Sequence, residues 1–179
     1  MKEYLLLLPI IFIFHDMEEI IGFGWFFRRN SELFKRHPKL TDAYIGFTNE
    51  GFAIAVYEEF IPFFGITLLA YYFPNKALYA VWLGMMLSLT GHFVAHILIC
   101  VYVRKFIPSL ITSLICLPIS VIILVKTAQL MTFDGLTVAL TALTVPAMMI
   151  NMKLGHLLMK SINRRIRGSE NGIVCCTSK

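Results

Sequence analysis

The chain has 179 residues, 58% of them hydrophobic and only 15% charged, far from the roughly 25% charged residues of soluble domains. That composition excludes a soluble globular protein and leaves no room for a separate soluble domain once the apolar runs are subtracted. The formal charge of +5 sits on residues that flank apolar runs instead of forming one face, which speaks for topology and anionic lipid head groups and against nucleic acid.

About 20 apolar residues cross a hydrocarbon core as a helix. Five spans are expected, near residues 3–27, 43–73, 76–103, 108–131 and 135–161. The fold class is therefore all-α, a polytopic membrane helix bundle of about five transmembrane helices, with one domain over 1–167 and a flexible tail at 168–179. The first run begins Met1-Lys2-Glu3. A signal peptide is the competing reading, but Glu3 occupies the would-be basic region, no small-x-small cleavage site follows and the apolar pattern continues to Phe27, so this helix is expected to remain.

A basic loop at 28–42 follows, then an overlong second span holding Pro62, which predicts a tilt, a kink or an interfacial turn at its start. Phe73-Pro74-Asn75, Arg104-Lys105 before Pro108, and Thr132 to Gly135 supply the remaining breaks. Pro118 and Pro146 raise the same question of a kink in the last two spans. Lys and Arg cluster in the first loop (Arg28, Arg29, Lys35, Arg36, Lys39), the third loop (Arg104, Lys105) and the C-terminal segment (Lys160, Arg164, Arg165, Arg167, Lys179), whereas Lys2, Lys76 and Lys126 fall on the other side. The positive-inside rule then puts the N-terminus outside and the C-terminus in the cytoplasm. Cys100 and Cys116 lie within spans and Cys175 and Cys176 in the tail, so no disulfide is expected. Acylation of the Cys175-Cys176 pair is the less favoured reading against a tail with no such role.

The informative residues are the ionisable groups inside the apolar runs. A charge near the bilayer centre costs about 2.5 to 3.5 kcal/mol on insertion scales, so several together imply mutual pairing, a watered cavity or a bound cation. His15, Glu18 and Glu19 are spaced i, i+3 and i+4 and share one helix face; Asp16 is expected to point elsewhere. Imidazole with carboxylate suits zinc, iron or manganese, and His-x-x-Glu reverses the Glu-x-x-His element of dinuclear helical bundles. A buried His–Glu pair that merely locks two helices is the alternative, and the double carboxylate counts against it. His92 and His96 are one turn apart and can bind one metal from one helix, although paired histidines also serve as interhelical hydrogen-bonding groups.

Glu58 and Glu59 add carboxylates from the second span; neighbours diverge by about 100°, so one of the two is expected to face the site. Counted from the expected cytoplasmic ends, His15, Glu19, Glu58, His92 and His96 share a layer roughly 10 to 20 Å deep. Asn49, Glu50 and His156 lie nearer the boundary, as interfacial residues or as the lining of an entrance, and His37 is expected to be solvated beside Pro38.

At these residues the chain resembles a known family. His15-Asp16-Met17-Glu18-Glu19 fits the His-x-x-Glu-Glu signature of the HXXEE family, and His92-Phe93-Val94-Ala95-His96 fits its His-x-x-x-His motif. Arg104 to Thr112 is similar to the family's Arg-x-Tyr-x-Pro-Gly segment, with Ser109 where Gly is usual. The family's Asn-x-x-x-Glu motif has no clean match, because Asn49-Glu50 and Glu58-Glu59 stand at other spacings. The resemblance covers about residues 14–118 and implies a membrane protein of unknown function with suspected metal binding and enzymatic activity.

The expectation is a metal-dependent membrane enzyme. Metal ligands are drawn from His15, Glu18, Glu19, Glu58, Glu59, His92 and His96, enough for a dinuclear site, and Glu18 or Glu19 is a candidate catalytic carboxylate. With zinc the reaction expected is hydrolysis of a lipid or lipid-linked ester or amide; with iron, oxidation of an acyl chain. Hydrolysis is preferred. Five histidines are too few for the boxed-histidine hydroxylases and desaturases, and Glu58-Glu59 lacks the following Arg of the CAAX-type proteases. A divalent-cation or proton-coupled carrier and a purely structural membrane partner are the alternatives, and no internal repeat favours the carrier.

Overall fold

A computed structural model describes residues 1–176, with side chains described through Ile166. Helix α1 (Lys2–Leu5) leads almost directly into α2 (Leu7–Arg29), which closes where Asn30 folds its side-chain amide back onto the Phe26 carbonyl at 2.9 Å. The basic loop is built of short pieces, α3 (Leu33–Arg36), α4 (Pro38–Thr41) and a 3-10 turn at Asp42–Tyr44. The overlong second span therefore begins with a turn, and its helix α5 runs only over Asn49–Tyr72, continuing through Pro62.

Each later helix starts at a residue suited to it. Thr48 accepts the Gly51 amide at 3.1 Å at the head of α5, and Asn75 accepts the Leu78 amide at 2.9 Å at the head of α6 (Lys76–Val103), both N-caps that satisfy an orphan donor. Helix α6 ends on Arg104 in the left-handed conformation, φ 54°, a common way to stop a helix. Helix α7 spans Leu110–Gln129, and α8 spans Gly135–Cys176, opened by Asp134, which accepts the Thr137 amide at 2.9 Å. Helical backbone thus continues through 168–176, most of the expected tail; the side chains of that tail, including Cys175 and Cys176, lie outside the described residues.

Among the described residues there is no strand, and the helices form one bundle. Helix α6 packs against α7 and α8, while α5 packs against α8 and α2. In lipid the close fit of side chains and interhelical hydrogen bonds hold such a bundle, because leaving lipid for another helix gains no hydrophobic free energy. Trp82 donates its indole N–H to the Leu5 carbonyl at 3.1 Å, tying α6 to α1. Thr48 donates to Asn163 at 2.6 Å, tying α5 to α8. Hydroxyls at Ser88, Thr90, Thr127 and Thr144 bond carbonyls four residues back in their own helices, as a medium without water requires. Ile21, Leu98, Val101 and Ile122 project outward, as lipid-facing side chains do.

Four helices are long and apolar enough to cross a membrane: Asn49–Tyr72, Lys76–Val103, Leu110–Gln129 and Gly135–Ile166. The expected fifth, α2, has the length at 23 residues but carries Asp16, Glu18 and Glu19 in its middle, too many charges for a span by composition. Asp16 and Glu19 are buried against the other helices, and that burial is what makes the site. At one end of the bundle Lys105 meets Glu32 and Asn30 at 2.7 and 2.6 Å and Lys160 meets Asp42 at 2.6 Å. Lys76 meets Asp134 at 2.6 Å at another inter-helix boundary.

Candidate metal centre

Helices α2 and α6 place four potential ligands together because each carries its pair one turn apart: His15 and Glu19, His92 and His96. One ligand atom from each lies within 4.8 Å of all the others. The His92 and His96 Nε2 atoms are 2.7 Å apart. Glu19 Oε1 is 3.0 Å from His96 Nε2 and 3.7 Å from His15 Nε2. Ligands bound to one ion at roughly 2.0 to 2.2 Å stand roughly 3 to 3.5 Å from each other; Glu19 and His96 stand in that range, His92 and His96 closer and Glu19 and His15 wider, so small side-chain shifts would set the four around one ion. The burial agrees: His15 is 0% and Glu19 3% exposed, and His15 Nε2 and Glu19 Oε1 have no hydrogen-bond partner. Phe93 packs edge-on against the His15 ring, with centroids 4.8 Å apart.

The opposite edges of two imidazoles are held by the first turn of α7. His15 Nδ1 lies 2.9 Å from Thr112 Oγ1. The Thr112 hydroxyl donates its single proton to Glu18 Oε2 at 2.7 Å, so toward His15 it can only accept. That places the His15 proton on Nδ1 and leaves the Nε2 lone pair free to bind a metal, as partners on the far edge of ligand histidines do. Glu18 Oε2 also accepts the Thr112 amide at 2.8 Å, capping α7 from another helix; a carboxylate is favoured at that position by the helix dipole. Ser109 Oγ lies 2.8 Å from His96 Nδ1.

A cavity of about 760 Å³ runs past the centre. Glu19, His92 and His96 line it together with Asp16, Glu59 and His156, and its remaining wall is largely apolar, from Phe12 and Phe63 to Met148 and Met152. It reaches the surface beside α4, at His37, Lys39 and Leu40. Tyr44 also lines it, set edge-on to His156 with centroids 5.7 Å apart. Burial holds the Tyr44 phenol above its usual range, so the group stays protonated.

The seven ligand candidates thus divide. His15, Glu19, His92 and His96 come together; Glu18 turns to Thr112. Glu59 faces the cavity, while Glu58 does not line it. Both reach toward α8, for a Cβ at Gly155 would stand 2.8 Å from Glu59 Oε1 and 3.3 Å from Glu58 Oε2. Of the three entrance candidates His156 lines the cavity, whereas Asn49 packs on Gly24 and Glu50 is exposed on the first turn of α5. His37 is at the mouth instead of free in the loop. Asp16 does not point away: it is 6% exposed and lines the cavity, its Oδ2 without a partner. Sequence reasoning passed over Ser109 and Thr112 as well; the available signal was a Pro-Ser-x-x-Thr start to a helix.

A family model described as a protein of unknown function with HXXEE motif matches residues 6–123, about two thirds of the chain. No curated protein and no solved structure matches the chain.

Proposed function

We propose that this chain, which belongs to the family of HXXEE-motif proteins of unknown function, is a membrane-embedded metal-dependent hydrolase acting on a lipid or lipid-linked ester or amide. One observation carries the reading: three imidazole Nε2 atoms and the Glu19 carboxylate converge on one point in the wall of a largely apolar cavity. His15, His92 and His96 are the protein ligands, the number a catalytic zinc site uses while keeping a position open. A divalent ion held there supplies Lewis acidity to a carbonyl and acidifies water.

Glu19 is the general base. Its Oε1 faces the same point, 3.0 Å from His96 Nε2; with that nitrogen committed to an ion, the carboxylate would be free to take a proton from water. Asp16 and Glu59, which line the same cavity, would pass that proton on. Glu18 and Thr112 fix the tautomer of His15. The apolar wall takes the chain of an amphipathic substrate and keeps bulk water out, while Lys39 at the mouth suits an anionic head group. With the three imidazoles and Glu19 in a single group, the geometry favours one ion over two. The basic ends of the helices put the N-terminus outside and this mouth on the cytoplasmic side.

The test is hydrolysis of a panel of lipid esters and amides in mixed micelles, with zinc, manganese or ferrous iron added to wild type and Glu19→Gln. Metal-dependent product release is expected, lost about 10²- to 10⁴-fold in Glu19→Gln with metal retained. Oxidised acyl chains in the iron arm would move the assignment to an oxidase. Exchangeable metal with flux into liposomes would move it to a carrier.

A further inference from the structure

We propose that Ser109 is a positioning residue of the metal centre, kept in a glycine-like backbone conformation because its hydroxyl is needed at His96 Nδ1. The inference rests on the metal-binding reading above. Ser109 is the N-cap of α7, with φ 103° and ψ −17°. Among described residues other than glycine, only it and Arg104 have positive φ. Glycine takes this region freely and a residue with a Cβ does not.

A serine at an N-cap ordinarily accepts the amide two or three residues on. Ser109 does not: it makes no side-chain cap bond, and the amide it would serve, Thr112 N, is taken by Glu18 Oε2 at 2.8 Å. The capping task has passed to a carboxylate on another helix, which leaves the Ser109 hydroxyl free. That hydroxyl is buried, with Ser109 0% exposed, and sits 2.8 Å from His96 Nδ1.

When His96 binds an ion through Nε2, its proton must lie on Nδ1, and Ser109 Oγ is the acceptor waiting there. The position of the turn is fixed from outside, since Pro108 packs against Gly22 of α2 so closely that a Cβ there would overlap it. Strain at a residue persists where its surroundings over-determine it. Ser109 and Thr112, three residues apart, thus hold the far edges of two imidazoles that arrive on two different helices.

The experiment compares wild type, Ser109→Gly and Ser109→Ala, full-length in detergent. Zinc affinity is read by chelator competition, the site by its cobalt(II) absorption, and the melting temperature is taken without metal. Both variants lose the hydroxyl, so both are expected to bind zinc about 10- to 100-fold more weakly with a changed cobalt spectrum. Only Ser109→Gly also relieves the backbone, so its metal-free form is expected to melt above wild type, a rise that Ser109→Ala does not share. Wild-type zinc affinity in both variants, or no rise for Ser109→Gly, overturns the inference and leaves the metal reading standing. A wild-type chain that binds no metal overturns both.

Discussion

Glu18 and Thr112, 94 residues apart, are joined twice: one carboxylate oxygen accepts the Thr112 amide at 2.8 Å and its hydroxyl at 2.7 Å. This divides the motif His-x-x-Glu-Glu into two tasks. Successive residues on a helix diverge by about 100°, so Glu19 turns into the centre while Glu18 turns to the start of α7. The histidine and the second glutamate face the point on which the four candidate ligands converge; the first glutamate holds the turn that meets the histidine's far edge.

Replacing Thr112 by Val keeps the shape and removes the hydroxyl. His15 Nδ1 loses its acceptor and Glu18 one of its two donors, so zinc affinity is expected to fall about 10- to 100-fold and stability by about 1 to 3 kcal/mol. Chelator competition and thermal unfolding in detergent read the two effects. An unchanged affinity would show that the tautomer of His15 is set elsewhere.

Glycine positions separate a close helix approach from open space. Gly22 has no room for a Cβ against Pro108, whereas Gly65 has nothing within 4 Å. Gly22→Ala should destabilise by about 1 to 3 kcal/mol through overpacking and weaken metal binding, because the displaced turn carries Ser109 and Thr112. Gly65→Ala should be neutral or stabilise by up to about 1 kcal/mol. Equal melting temperatures for the two variants would refute the packing shown here.

Asp134 has a pH signature. The Lys76 ammonium, with the Thr137 amide and hydroxyl, holds its carboxyl well below the usual carboxylate range. A depressed folded-state value means that the stabilisation is present above the unfolded value, about 4, and is lost as pH falls through the lower folded one. Asp134→Asn should therefore melt below wild type at pH 7, with the difference shrinking in strongly acidic buffer. A difference that grew on acidification would contradict the pairing.

Met152 lines the cavity on α8, a helix that supplies none of the four convergent groups. Met152→Trp should narrow the apolar channel, weakening binding of a fluorescent fatty-acyl probe by roughly tenfold or more, about 1.4 kcal/mol, with metal content unaltered. Full probe binding would place the acyl chain elsewhere.

The long helices were legible because apolar runs of span length, broken by Pro, Gly and basic residues, leave few alternatives in lipid. The pieces between Leu33 and Tyr44 were not, since helices of four residues show no periodicity. His15, Glu19, His92 and His96 could be read from one-turn spacing within apolar surroundings. Ser109 and Thr112 could not, because a hydroxyl in an apolar helix usually bonds its own carbonyl, as Thr127 does, and only the tertiary fold shows that these two do otherwise. Asp16 was misjudged from its angle to His15; its i, i+3 relation to Glu19 puts it on the cavity side.

The central claim is tested most directly by elemental analysis of protein purified in detergent without chelator, beside His15→Ala and His92→Ala. The account predicts about one equivalent of zinc, iron or manganese per chain, lost in both variants although the two histidines lie on different helices. A wild-type chain free of these metals, or metal retained in both variants, would contradict it.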